Sequence, residues 1–157
     1  MTICVLGKNL TALLVSKILV NKGLNVDIFF RDKNIESKNS RTIGLSNNSL
    51  DFLEKEKIFI KKNCWSIKKI NLYKGKETKK FLSFNPTNNC FFITYYSKLY
   101  NLIESKLKRN NLIKLYKKKQ DNSLKFLNHD YELIINTETN NKLSKKYFNK
   151  QIKKDYK

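Results

Sequence analysis

Histidine occurs once in this sequence, at His129, beside Asp130 in a polar stretch. A metal cluster or a Ser-His-Asp device would have to be built around that single ring, and it reads as a solvated loop histidine. Cysteine is nearly as scarce. Cys4, Cys64 and Cys90 are odd in number, widely spaced and form no C-x-x-C pair, which argues against a disulfide framework and a zinc site and fits a reducing, cytoplasmic setting. Long apolar runs are missing too. The run from Ile3 to Leu6 stops at Gly7, and the next apolar stretch is broken by Ser16, Lys17, Asn21 and Lys22. Neither a secretory signal nor a span of about 20 apolar residues is available.

Acidic residues are few, 13 against 33 basic ones, and the formal charge is +20. Such an excess raises nucleic acid or an anionic membrane surface as partners. Arginine, the residue whose planar fork reads phosphate and guanine bidentately, is confined to Arg31, Arg41 and Arg109. The other basic residues are lysines, spread from Lys8 to Lys157 without a single stripe. No specific nucleic acid is expected on that basis.

What is present is a chain with 40% hydrophobic and 12% aromatic residues, enough for a globular α/β unit. Ile3-Cys4-Val5-Leu6 reads as a strand buried on both faces. Leu10, Leu13, Leu14, Ile18 and Leu19 recur at helical spacing over Leu10 to Lys22, with Asn9 or Thr11 as the cap and Gly23 as the stop. Val26 to Phe30 resumes extended character. Strand, helix, strand in 30 residues predicts a right-handed parallel crossover, whose ligands sit at the carboxyl ends of the strands, here beside Gly7.

Further on, Ser46 to Lys57 reads as a helix with Leu50, Leu53 and Ile58 inward. Trp65 to Tyr73, a turn around Gly75 and Lys80 to Phe84 read as a hairpin closed off by Pro86. Phe91 to Thr94 is a strand, and Leu99, Leu102, Ile103 and Leu107 mark a helix from Ser97 to about Arg109. Leu112 to Tyr116 and Leu124 to Leu127 read as short strands and Tyr131 to Ile135 as a buried one. The expected divisions are a βαβ unit (1–31), a helix and loop (32–62), a β-rich insert (63–94), a helix with returning strands (95–136) and a basic tail (137–157).

Dinucleotide-binding folds carry G-x-G-x-x-G or G-x-G-x-x-A at the first strand-to-helix turn, because glycines let backbone amides approach a pyrophosphate. Here the stretch is Gly7-Lys8-Asn9-Leu10-Thr11-Ala12. The first glycine and a small last residue are present, and Asn9, a residue that tolerates left-handed angles, replaces the middle glycine. The second strand ends in Phe30 followed by Arg31, where an acid for the ribose is usual.

Several blocks in order resemble the FAD-dependent aromatic hydroxylases that act on polyprenylated phenols in ubiquinone biosynthesis. Gly23-Leu24-Asn25-Val26-Asp27-Ile28-Phe29-Phe30 follows that family's G-x-x-V-x-L-[FIV]-E except at the acid. Ser40-Arg41-Thr42-Ile43-Gly44-Leu45-Ser46, leading into Ser49 to Leu53, is similar to its R-x-I-x-L-S block. Phe92 to Leu102 resembles its strand-helix unit, and Glu138, Thr139, Lys142 and Lys145 stand where A-D-G and S-x-x-R are found in the family.

The resemblance implies an α/β fold, a Rossmann-like FAD-binding βαβ domain with an inserted antiparallel hairpin or sheet from the substrate region. It implies FAD as cofactor, NAD(P)H as reductant of the full-length enzyme and a polyprenylated phenol as substrate. Gly7, Lys8, Asn9, Leu10, Thr11 and Ala12 then face the pyrophosphate, Arg31 the adenosine and Arg41 the flavin; no catalytic residue is assigned. Peripheral association with the inner face of the membrane follows from such a substrate. Family members are far longer and continue into a G-D-A motif absent here, so a chain truncated at its C-terminus, by biology or by an incomplete frame, is expected. Two other readings remain open: a different nucleotide-binding α/β oxidoreductase, and a noncatalytic basic module that binds nucleic acid.

Overall fold

Four consecutive apolar residues, Ile3 to Leu6, are buried almost completely, which requires cover on both faces of the strand they form. In the computed structural model they lie in β1 (Thr2–Leu6), an inner strand of a parallel sheet. The structure describes residues 1–30, 41–59, 61–75, 79–84, 91–117 and 131–138. The described residues form two units, one of those up to Phe30 together with those from Asn111 onward, the other of those from Arg41 to Asn110.

In the first unit β1 is followed by α1 (Leu10–Asn21) and β2 (Asn25–Phe30). β8 (Ile113–Lys117) and β9 (Leu133–Asn136) complete a sheet of order β8-β2-β1-β9, parallel throughout. The predicted parallel strand-helix-strand unit and two of the three expected returning strands are therefore present. The expected strand over Leu124 to Leu127 lies outside the described residues. β9 corrects one expectation. Among the described residues it is an edge strand, and Leu133 and Ile134 are exposed instead of buried, because no described element covers their faces of the sheet.

α1 stops where Gly23 enters the left-handed region at φ 78°. There the Gly23 amide donates to Val20 O at 2.9 Å and Leu24 to Leu19 O at 3.2 Å, the paired bonds of a Schellman motif. Ala12 and Ser16, one turn apart, give the helix two small, fully buried positions. The Ser16 hydroxyl has no hydrogen-bond partner. An unsatisfied buried hydroxyl costs about 1–3 kcal/mol, so Ser16→Ala is expected to leave stability unchanged or raise it by about 1 kcal/mol, read from the urea midpoint.

The second unit begins with β3 (Thr42–Leu45) and α2 (Asn47–Lys55), whose N-cap Ser46 accepts from the Ser49 amide at 3.1 Å. α2 closes with the same pair of bonds as α1, but Lys57, not glycine, takes the positive φ of 54°. Lys106 Nζ donates to Lys57 O at 2.7 Å and Ile58 O at 3.1 Å, putting a cation on the carbonyls just past the helix end. After a short 3₁₀ turn (Lys61–Asn63), β4 (Trp65–Ile67) and β7 (Phe91–Tyr95) form an antiparallel sheet of order β3-β7-β4. α3 (Tyr96–Lys108) follows, with Leu99, Ile103 and Leu107 fully buried at spacing of four residues, each side chain stabilising by about 1.5–3 kcal/mol.

β5 (Ile70–Tyr73) and β6 (Lys80–Phe84) form a separate two-stranded hairpin. Trp65 to Tyr73 is thus not one strand, as the sequence suggested. It divides at Lys68 and Lys69, and its first part pairs with β7 in a different sheet.

Candidate cofactor-binding turn

At the carboxyl end of β1 the chain must leave the sheet and start α1 within three residues, and Gly7 makes this possible at φ 114°, a conformation side chains rarely adopt. Its amide donates to Phe29 O at 2.8 Å, so the turn is pinned to β2. On the other flank Thr137 follows β9. Its amide reaches Leu6 O at 3.0 Å and its hydroxyl donates to the same carbonyl at 2.8 Å. A Cβ on Gly7 would strike Thr137 Oγ1 and come within 3.1 Å of Glu138 Cγ. Glycine is required here both for the backbone angle and for the approach of the residues that follow β9.

Asn9 is the N-cap of α1. Its Oδ1 accepts from the Ala12 amide at 2.9 Å, and its Nδ2 donates to Thr137 O at 2.9 Å. The expectation that asparagine would serve here through left-handed angles is corrected: φ is −84° and ψ 174°, ordinary extended backbone. What Asn9 contributes is a side chain, placed where an anion would otherwise meet the first turn of the helix.

The remaining motif residues divide by burial. Leu10 and Ala12 are buried, so only their backbone could meet a ligand, whereas Thr11 is exposed. Lys8 is half-buried, its Nζ 4.5 Å from the centre of the Phe30 ring, so a cation stands over the end of β2 where the acid is missing. Gly7 to Ala12 are brought together in one turn. Arg31 lies outside the described residues. Arg41 belongs to the second unit, where its carbonyl accepts from the Tyr96 amide at 2.9 Å and its guanidinium lies 5.7 Å from the Tyr96 ring centre.

Two features escaped the sequence reading. Thr137 shapes the turn from 128 positions beyond Asn9, a contact created only by the pairing of β9 with β1. Asp27 on β2 accepts from the Tyr131 hydroxyl at 2.8 Å, beside a stack of Phe29 on Tyr116 with centroids 4.7 Å apart. Burial, and after it the bond to Asp27, push the Tyr131 phenol above its usual range. The thiols offer no activated nucleophile among the described residues. Cys4 is wholly buried, and burial raises the Cys64 thiol despite the opposing charge of Lys98. No group of three or more potential metal ligands occurs among the described residues, and no helix there is long and apolar enough to cross a membrane.

No family model matches the sequence, and no curated protein matches it. Solved structures do. The p-nitrophenol 4-monooxygenase PnpA from Pseudomonas putida DLL-E4 aligns over 77% of this chain and 35% of its own, at 14% identity and a TM-score of 0.60. PqsL from Pseudomonas aeruginosa, described as a probable FAD-dependent monooxygenase, aligns over 74% and 32%, at 11% identity and a TM-score of 0.62. The 2,6-dihydroxypyridine-3-hydroxylase from Arthrobacter nicotinovorans aligns over 73% and 28%, at 15% identity and a TM-score of 0.55. The chain spans about a third of the length of these structures. What they share with it is the fold, a Rossmann-like α/β arrangement with antiparallel strands, as the sequence predicted.

Proposed function

We propose that this chain is the N-terminal, dinucleotide-binding portion of an FAD-dependent hydroxylase acting on an aromatic ring. The observation that carries the reading is the turn at Gly7, which sets the start of α1 at the carboxyl end of β1 in a four-stranded parallel sheet. In open parallel sheets ligands bind outside those strand ends, and a helix N-terminus there favours a phosphate. The likeness to monooxygenase structures supports the same class.

The backbone of the turn fits a pyrophosphate, and one side chain competes with it. Asn9 must release the Ala12 amide before a phosphate oxygen can accept from it. An asparagine cap stabilises by about 1 kcal/mol and its second bond by about as much again. Displacing both therefore lowers affinity roughly 5- to 30-fold, a penalty that the many contacts of a dinucleotide can absorb. Asn9 weakens the site without closing it.

In this reading the flavin supplies the redox and oxygen chemistry once bound, and the residues described above position it. The turn from Gly7 to Ala12 faces the pyrophosphate, with the Gly7 amide itself held by Phe29 O, Lys8 adds a positive charge beside it, Arg31 serves the adenosine and Arg41 the flavin side. The resemblance of Arg41 to Ser46 to the ubiquinone-pathway hydroxylases extends the proposal to a polyprenylated phenol as substrate and NAD(P)H as reductant. The test is a titration of FAD with the purified 157-residue chain, followed by quenching of flavin fluorescence. Saturable quenching reversed by ADP is expected. Binding of NADH without FAD would instead favour a nicotinamide oxidoreductase, and salt-sensitive binding of unrelated DNA duplexes with no nucleotide affinity would favour the basic module.

A further inference from the structure

The cofactor reading leaves unused the β3-β7-β4 sheet of the second unit, whose two faces differ. Leu45 and Phe92, paired across β3 and β7, are buried with Thr94 on the face where α2 and α3 pack. The opposite face presents Phe91, Ile93 and Tyr95 from β7, with Trp65 and Ile67 of β4 beside them in register. It is an open aromatic face. Trp65 is 53% exposed and Tyr95 42%, and their rings meet edge to face with centroids 5.0 Å apart. Gly44, opposite Ile93 on β3, has no side chain to cover that face, and the Phe91 ring lies 3.6 Å from the place its Cβ would take. Two stacking places result, one at Phe91 and one at the Trp65–Tyr95 pair, about 13 Å apart along β7.

Charge is segregated between the two sides of this unit. The segments that build the sheet and its margins, 41–46, 61–75 and 91–95, contain Arg41, Lys61, Lys62, Lys68, Lys69 and Lys74 and no acidic residue. The acids Asp51, Glu54, Glu56 and Glu104 lie on α2 and α3 or at the end of α2, behind the sheet. Exposed rings with cations around them match a polyanion that carries flat rings between its charges. We propose that this face binds single-stranded nucleic acid, with bases stacked on Trp65, Tyr95 and Phe91 and phosphates met by the lysines at the margin. A duplex keeps its bases stacked inside, so it meets the lysines alone. Lysine holds phosphate as a point charge without reading base edges, so binding without sequence preference follows from the scarcity of arginine. The proposal does not depend on how the Gly7 turn is used.

The test is a titration of the 157-residue chain against a labelled oligouridine of about 12 nucleotides and a labelled duplex of the same length, read by fluorescence anisotropy. Trp65 is the single tryptophan, so its own emission reports the face directly. The single strand is expected to bind about tenfold or more tighter than the duplex, to weaken with salt and to quench Trp65. Trp65→Ala with Tyr95→Ala keeps every lysine and is expected to lose about tenfold or more in affinity for the single strand and little for the duplex, with an unchanged circular dichroism spectrum. Should that variant not fold, the wild-type emission decides: oligouridine binding that leaves Trp65 unquenched would overturn the proposal. Equal affinity for strand and duplex, or wild-type affinity in the folded variant, would overturn it too, since charge alone would then account for binding. So would absence of oligouridine binding, including the case in which the chain self-associates and the two substitutions abolish it; a second copy would then be the occupant of the face.

Discussion

Gly7→Ala is expected to destabilise the chain by about 2–4 kcal/mol, the largest effect of any single methyl group added among its glycines. Two costs add. A side chain at φ 114° carries about 1–3 kcal/mol of backbone strain, and its Cβ would displace Thr137 from the bond that its hydroxyl makes to Leu6 O, worth about 1 kcal/mol. Gly75→Ala is the control. Gly75 also has a positive φ, 57°, but none of the described residues lies within 4 Å of its added Cβ, so only the strain of about 1–2 kcal/mol applies. Urea unfolding of the two variants separates strain from crowding. Adding Thr137→Ala to Gly7→Ala should recover part of the loss, because the two residues meet and their effects do not add.

Asn9→Gly is expected to raise affinity for FAD and for ADP about tenfold while lowering stability by roughly 1 kcal/mol. The signs oppose because the side chain both caps the helix and occupies the seat of the phosphate. Glycine caps nearly as well as asparagine, so most of the lost stability is the Nδ2 bond to Thr137 O. Asn9→Asp gives a second, contrasting result. A carboxylate still accepts from the Ala12 amide and favours the helix N-terminus, but it cannot donate to Thr137 O and it repels phosphate, so stability should fall by at least about 1 kcal/mol while nucleotide binding is lost, not raised. A purely structural role for Asn9 would leave affinity the same in all three chains.

Much of this was legible locally. The apolar run ending at Gly7, the helical spacing of Leu10 to Leu19 and the glycine that stops α1 act within a few residues of themselves, so the crossover could be read directly. The same holds for α3, whose buried stripe from Leu99 to Leu107 has helical spacing. Three features depended on distant pairing. Trp65 to Tyr73 looked like one strand because both halves are apolar, and only β7 decides that its first part leaves the hairpin. The exposure of Leu133 and Ile134 goes with the place of β9 at the edge of the sheet among the described residues. The cap role of Asn9 was legible, but its second bond needed Thr137, which is invisible until β9 lies beside β1. Asparagine in place of glycine suggested backbone freedom, and the structure uses its amide group instead.

The most direct measurement follows the backbone amides of Gly7 to Ala12 by NMR in the isotope-labelled 157-residue chain as FAD is added. If the start of α1 receives the pyrophosphate, the Ala12 amide and its neighbours shift in a saturable way, and the Asn9 side-chain amide moves with them as it leaves Thr137 O. FAD binding that left these signals in place, or no binding by either this chain or its Asn9→Gly variant, would contradict the assignment of the turn.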